Sequence, residues 1–148
     1  MNEQFQKRIR VFAGPNGSGK TTVVNKVKSL IIDGNPIDFG MVVNADDIAK
    51  RLREKSELTF SDFRLRIDAA EFQTVYVESK LFARHSEKGA NPNEWFGIRE
   101  NRIDLLDEEN VERVAQVTAW VILQKLLDRG EKISFETVFS SGEKIKLL

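Results

Sequence analysis

The sequence predicts an α/β fold with a mainly parallel sheet, because short apolar strands alternate with helices along the chain. Strand-like apolar segments occur at 9–13, 39–43 and 133–139, and segments with helical spacing of apolar residues lie between them. Strands that are joined through helices pair in parallel by right-handed crossovers, so their carboxyl ends gather at one edge of the sheet. Ligands of open α/β sheets bind at that edge, and functional residues are expected there.

Four helices are placed by the spacing of apolar residues and by the residues that start and stop helices. They are expected at 22–32, from Asn44 through Leu52, at 60–85 and at 108–129. Asn44 and Ser61 stand where a side chain can cap a first turn, and Gly34 and Gly130 stand where a glycine ends a helix. The order of strands and helices is therefore the one that a parallel sheet requires.

The middle of the chain is predicted to form an insertion within one domain that spans 1–148. This insertion, at about 56–107, combines a helix with a hairpin. Two short segments, 95–100 and 102–106, alternate polar and apolar residues and are expected to pair around Asn101.

Between the first strand and the first helix, residues 14–21 read Gly-Pro-Asn-Gly-Ser-Gly-Lys-Thr, the pattern of a phosphate-binding P-loop. Its glycines let backbone N–H groups approach a polyphosphate closely, and the positive end of the next helix points to the same place. Lys20 is expected to contact the β- and γ-phosphates and to act in catalysis, and the Thr21 hydroxyl is expected to bind Mg²⁺. The residues expected to bind the nucleotide are Gly14, Asn16, Gly17, Ser18, Gly19, Lys20, Thr21 and Thr22. The alternative, a glycine-rich turn that binds nothing, is disfavoured by the strand and the helix on its two sides.

Two carboxylates follow the second strand directly. Asp46 is the candidate catalytic base, because a carboxylate at the end of this strand can face a substrate hydroxyl across the cleft and accept its proton. Asp47 competes for the same role. The alternative is structural, since both residues lie in the first turn of a helix, where the dipole favours negative charge.

Glu136 interrupts an apolar strand near its carboxyl end, where an inward carboxylate is costly unless it meets a cation or hydrogen-bond donors. If the third strand lies beside the first, Glu136 is close to the metal at Thr21, as a water-mediated Mg²⁺ ligand or as an anchor for substrate. Thr137 can donate a hydrogen bond to the substrate in the same cleft. The alternative for Glu136 is a strand residue paired with Lys20 or Arg8.

Composition restricts the partners. Lys plus Arg and Asp plus Glu number 23 each, so the chain has no net positive charge with which to hold a nucleic-acid backbone. It has no cysteine, which excludes disulfides and thiolate metal sites. The first ten residues lack the apolar core of a signal peptide, and no apolar run is long enough for a membrane span. We therefore expect a cytoplasmic protein that acts on a small molecule, with His85, the one histidine, on the solvated surface.

Three motifs together resemble the zeta toxin family of P-loop kinases. They are Ala-Gly-Pro-Asn-Gly-Ser-Gly-Lys-Thr-Thr at 13–22, Val-Asn-Ala-Asp-Asp-Ile-Ala at 43–49 and Ser-Phe-Glu-Thr-Val-Phe-Ser at 134–140. The resemblance implies ATP or GTP with Mg²⁺, a sugar hydroxyl of UDP-N-acetylglucosamine as the phosphate acceptor, and a small antitoxin protein as a partner. It also implies that Lys20 and Thr21 bind nucleotide and Mg²⁺, that Asp46 is the base and that Glu136 contacts substrate.

The sequence departs from this family in two places. Val138 stands where relatives often have a second threonine, which removes one hydrogen bond to the substrate. Relatives also continue beyond the third strand with two more strands and a lid helix whose arginines bind the transferring phosphate. The resemblance therefore implies an incomplete sheet that ends at its third core strand. The first strand would then be an exposed edge, open to self-association or to a partner strand.

Two functions from different classes follow. The first is a zeta-toxin-like kinase that transfers the γ-phosphate of ATP or GTP to a hydroxyl of a small substrate. The alternative is a catalytically incomplete nucleotide-binding module, which acts by binding or assembly and transfers no phosphate. Loss of the arginines that neutralise the transferring phosphate costs several orders of magnitude in rate, which favours the alternative for this chain.

Overall fold

A computed structural model describes residues 9–14 and 18–137, the side chain of Thr137 excepted. The strands are β1 (Ile9–Ala13), β2 (Ile31–Ile32), β3 (Asn35–Pro36), β4 (Met41–Asn44), β5 (Glu57–Thr59), β6 (Phe96–Arg99), β7 (Arg102–Leu105) and β8 (Ile133–Thr137). The α-helices are α1 (Lys20–Lys28), α2 (Ala45–Lys55), α3 (Ala69–Glu78), α4 (Lys80–His85) and α5 (Val111–Asp128). Short 3₁₀ helices lie at Phe60–Phe63, Glu87–Gly89, Pro92–Glu94 and Glu108–Asn110. The chain divides into two compact units, one formed by 1–43 with 130–148 and the other by 44–129.

The first unit contains a three-stranded, mainly parallel sheet with the strand order β1-β8-β4. Strands β1 and β8 are parallel and in register, with Ile9 opposite Ile133 and Ala13 opposite Thr137. The α/β prediction is therefore confirmed, as is the placement of the third predicted strand beside the first. Residues 138 and 139, which were expected to continue β8, lie outside the described residues.

Backbone contacts before β4 hold this strand against β8. Gly40 has a φ of +62°, and a Cβ at this position would lie 2.2 Å from the Lys132 carbonyl oxygen, so only glycine fits. The Met41 N–H donates to the same carbonyl at 2.9 Å. Asp38 accepts the Gly40 N–H at 2.9 Å and the Lys132 ammonium at 3.1 Å, and these two donors hold the pKa of Asp38 below its usual value of 3.8.

Helix α1 is shorter than predicted. The expectation of a helix over 22–32 is wrong beyond Lys28, because Ile31 and Ile32 form β2, which pairs antiparallel with β3. The two strands are joined by Asp33 and Gly34, whose φ values of 52° and 79° are those of a type I′ turn. The apolar residues that continued the helical spacing therefore belong to an exposed hairpin.

The second unit is built from four α-helices, the short 3₁₀ helices and a small antiparallel sheet with the strand order β5-β7-β6. Helix α2 packs on α5, which buries apolar residues along its whole length. The Asn44 side chain accepts the Asp46 N–H and caps α2, as predicted. Fully buried side chains of this unit include Leu52, Phe60, Ile67, Phe72, Tyr76, Ile103, Val114, Ile122 and Leu126.

The predicted hairpin around Asn101 is confirmed by β6 and β7. Its two turn residues, Glu100 and Asn101, have φ values of 49° and 59°. The Asn101 side chain accepts the Ile67 N–H at 2.8 Å and donates to the Leu65 carbonyl at 2.9 Å and to the Ser61 hydroxyl at 3.0 Å. One asparagine therefore fixes both the turn and the segment that follows the first 3₁₀ helix.

The single helix predicted over 60–85 is wrong. The chain forms a 3₁₀ helix that Thr59, and not Ser61, caps, and this helix ends at Arg64, whose φ is +56°. Helix α3 begins after Asp68, which forms a reciprocal capping box with Glu71. Ser79 then separates α3 from α4 with an extended backbone. The helix predicted over 108–129 is confirmed as a 3₁₀ turn followed by α5.

Candidate functional site

The segment between β1 and α1 is described at Gly14 and again from Ser18 onward. Gly14 follows the end of β1, and a Cβ there would lie 2.8 Å from the Ser18 hydroxyl oxygen, so Gly14 and Ser18 approach closely. Gly19 has a φ of +86°, in the left-handed region that glycine occupies without strain. Pro15, Asn16 and Gly17 lie outside the described residues.

The N-terminus of α1 carries no negative side chain. Gly19 occupies the capping position without a side-chain hydrogen bond, and the first turn contains no acidic residue. By contrast, α2 is capped by Asn44 and α3 by Asp68, and both have acidic residues in their first turns. The backbone N–H groups and the positive dipole end of α1 are therefore not neutralised by a side-chain cap or by an acidic residue in its first turn.

Lys20 is the first residue of α1, and its side chain reaches back to Gly14. The ammonium donates to the Gly14 carbonyl at 2.7 Å, and the residue is partly buried. This contact places a positive charge on the same turn as the N-terminus of α1. Thr21 and Thr22 follow on the first turn of α1, and both are exposed.

Glu136 lies at the same edge of the sheet as this turn. In the parallel pair, Glu136 is opposite Phe12 and Thr137 is opposite Ala13, the residue that precedes Gly14. Glu136 is half-buried. The structure thus brings Gly14, Lys20 and Glu136 to one end of the β1–β8 pair.

Asp46 and Asp47 belong to the second unit, where they lie exposed in the first turn of α2. The Asn44 side chain forms the cap, with its oxygen 2.9 Å from the Asp46 nitrogen. The cap of α2 therefore needs neither the Asp46 nor the Asp47 carboxylate, although the positive end of the helix dipole favours negative charge at both positions. The role of Asp46 as catalytic base stays a prediction.

A metal site made by protein side chains alone is absent from the described parts of the chain, where no three histidine, aspartate or glutamate residues group together. Mg²⁺ that is bound with a nucleotide needs few protein ligands, because phosphate oxygens and water supply the rest. Thr21 and Glu136 are compatible with that smaller requirement.

His85 was expected on the surface, and this expectation is wrong. The residue is 6 % exposed, and its Nδ1 lies 2.8 Å from the Tyr76 hydroxyl oxygen. Burial lowers the pKa of His85 below its usual value of 6.5 and raises the pKa of Tyr76. Trp95 is buried as well, with its ring centroid 5.6 Å from that of the histidine ring.

Two features of the fold were not predicted from the sequence. The Asp-Gly pair at 33–34, between two isoleucines and an Asn-Pro pair, is the signal of a hairpin that a helical interpretation obscured. The side-chain contacts of Asn101 have no sequence signal, because their partners lie 34 to 40 residues away.

No protein-family model, no curated protein and no solved structure matches this chain. Among the helices of the described segments, none combines the length and the apolar character needed to cross a bilayer.

Proposed function

We propose that the turn between β1 and α1 binds the phosphates of a Mg²⁺-nucleotide, and that the chain holds the nucleotide site of a zeta-toxin-like kinase. The observation that carries this proposal is the position of Lys20, whose ammonium lies 2.7 Å from the Gly14 carbonyl beside an N-terminus without an acidic cap. The parallel pairing of β1 with β8, which places Glu136 at the same edge, supports a P-loop kinase arrangement of the sheet.

In this proposal, residues at the end of β1 and the start of α1 contact the phosphates and Mg²⁺. Backbone N–H groups at the start of α1 donate to phosphate oxygens, and Gly14 and Gly19 allow the close approach. Lys20 exchanges its contact with the Gly14 carbonyl for the β- and γ-phosphates of ATP or GTP. Thr21 and Glu136 would hold Mg²⁺, Glu136 through water, and the ion when bound neutralises charge on the phosphates.

The acceptor side of the reaction is assigned to carboxylates. Asp46, two residues beyond the end of β4, would accept the proton of a substrate hydroxyl, whose oxygen then bonds to the γ-phosphorus while the nucleoside diphosphate leaves. Glu136 and Thr137 would bind the substrate. The resemblance to zeta toxins supports a nucleotide sugar such as UDP-N-acetylglucosamine as this substrate, a cytoplasmic location and an antitoxin as the protein partner.

A second function is favoured by the distribution of cations in the first unit. Within its described residues Arg10 is the one arginine, and it hydrogen-bonds the Asp38 carbonyl near the start of β1, away from the P-loop end of that strand. Among the described residues of this unit, Lys20 is the cation that lies at the P-loop end of β1. A nucleotide-binding module that transfers no phosphate is therefore the alternative.

A transfer assay with radiolabelled ATP and UDP-N-acetylglucosamine separates the two functions. For the kinase, we expect Asp46→Asn to lower turnover by about 10²- to 10⁴-fold without weakening nucleotide binding, because the general base contributes to the chemical step. Asp47→Asn is the matched control and should retain activity. Nucleotide binding without transfer in the wild type would reject the kinase and leave the binding module.

A further inference from the structure

The β2–β3 hairpin is ordered by its turn, yet it buries none of its own strand side chains. Ile31 is 69 % exposed and Ile32 is 58 % exposed, and Leu30, which precedes them, is 50 % exposed. Asn35 and Pro36 of β3 are exposed as well. Three consecutive large apolar residues at this exposure form an apolar patch that isolated surface residues such as Val77 and Leu106 do not form.

The two edges of this hairpin differ in their ability to accept another strand. In a hairpin with a two-residue turn, the pair beside the turn, Ile32 with Asn35, exchanges the backbone hydrogen bonds. The next residues, Ile31 and Pro36, therefore direct their backbone groups outward. Proline has no N–H group, so the β3 edge lacks this donor, whereas Ile31 presents both its N–H and its C=O groups.

We infer that the β2 edge pairs with the β2 edge of a second copy of this chain, as an antiparallel two-fold dimer. A two-fold axis at Ile31 pairs this residue with its own counterpart through two backbone hydrogen bonds. Leu30 then faces Ile32 of the other copy on both sides of the axis. Every cross-strand pair at this interface is apolar, which is the arrangement that stabilises a sheet.

The charges beside the patch favour a second copy over an unrelated partner. Lys26 and Lys28 precede the apolar residues in the last turn of α1, and Asp33 follows them in the turn of the hairpin. Antiparallel pairing brings the acidic turn of each copy toward the basic helix end of the other. The surface is therefore complementary to itself in charge as well as in apolar character.

The interface is small, so we expect a weak dimer whose population depends on protein concentration. Sedimentation equilibrium from micromolar to millimolar concentration should show a reversible monomer–dimer equilibrium for the wild-type chain. Ile31→Lys should raise the dimer dissociation constant by at least about 30-fold, because it places two charges together at the centre of the interface. Val77→Lys, at a similarly exposed site of α3, is the matched control and should leave the equilibrium unchanged.

Far-UV circular dichroism establishes that each variant is folded. Hydrogen exchange of backbone amides in the wild-type chain tests the interface without any substitution. The Ile31 amide should exchange more slowly as protein concentration rises, while the Leu106 amide should not change. A wild-type chain that stays monomeric throughout would overturn the inference. So would a dimer that persists in Ile31→Lys, and that result would direct attention to the β1 edge instead.

Discussion

Replacement of Gly40 by any other residue would place a Cβ against the backbone of Lys132. An added Cβ would lie 2.2 Å from the Lys132 carbonyl oxygen, and the φ of +62° is unfavourable for any L side chain. We expect Gly40→Ala to lower the free energy of unfolding by about 3 kcal/mol or more, since it combines backbone strain with a clash between backbones. Urea denaturation monitored by circular dichroism measures this loss.

Gly34→Ala is the control for the strain alone. Gly34 has a φ of +79°, but no atom lies within 4 Å of the position that a Cβ would take. The expected loss is about 1–2 kcal/mol, the cost of a left-handed conformation. Equal losses in the two variants would mean that β4 is not held against β8 through Gly40 as described.

Asn101 illustrates a residue whose importance lies in its side chain rather than its backbone. Asn101→Gly keeps the positive φ of the turn but removes the hydrogen bonds to Ile67, Leu65 and Ser61. We expect a loss of about 2–3 kcal/mol in thermal or urea unfolding, since at least one buried backbone group is left without its partner. Glu100→Gly, at the adjacent turn position, should be neutral or stabilising because it relieves strain. The opposite order of the two effects would refute this role of Asn101.

At the scale of elements, the short helix α4 is held on α3 through aromatic contacts and one hydrogen bond. Phe82 packs edge-on against Tyr76 with ring centroids 5.1 Å apart, and His85 at the end of α4 bonds the Tyr76 hydroxyl. Arg84 and Arg113 add positive charge near the imidazole. Both burial and these charges therefore favour neutral His85 in the folded protein.

This arrangement predicts a pH dependence of stability. The pKa of His85 is lowered from its usual 6.5, so the unfolded chain binds a proton at a higher pH than the folded chain does. The stability from this source is complete above pH 6.5 and decreases as the pH falls below that value. His85→Phe should remove the dependence just below pH 6.5, because the chain has one histidine. An unchanged slope in urea unfolding of this variant would contradict the prediction.

The errors of sequence interpretation also lie at the scale of elements. Helical spacing of apolar residues continues through 60–85 and through 22–32, yet local backbone signals divide both segments. Asp68 with Glu71 starts a new helix, and Asp33 with Gly34 closes a hairpin. Periodicity alone reports which residues are apolar along a helix, whereas caps and turns decide where the helix begins and ends.

At the scale of the whole molecule, the α/β class, the pairing of β8 with β1 and the hairpin at Asn101 were predictable. The strands are indicated by short runs of apolar residues, and the hairpin by two alternating segments on either side of one turn. Both signals lie within a few neighbouring residues. The proximity of Lys20 to Gly14 was predictable for the same reason, since the two residues are close in sequence. The buried pair of Tyr76 and His85 was not, because burial depends on packing that no local pattern encodes.

Isothermal titration of Mg²⁺-ATP into the full chain directly tests for a nucleotide site between β1 and α1. We expect saturable binding that Mg²⁺-AMP does not reproduce, because a site of the proposed kind requires a polyphosphate. Lys20→Ala should weaken the affinity for Mg²⁺-ATP by at least about tenfold, while Lys26→Ala, on the same helix, should not. No heat of binding with the wild type, or equal affinities for the two lysine variants, would contradict a nucleotide site at this turn.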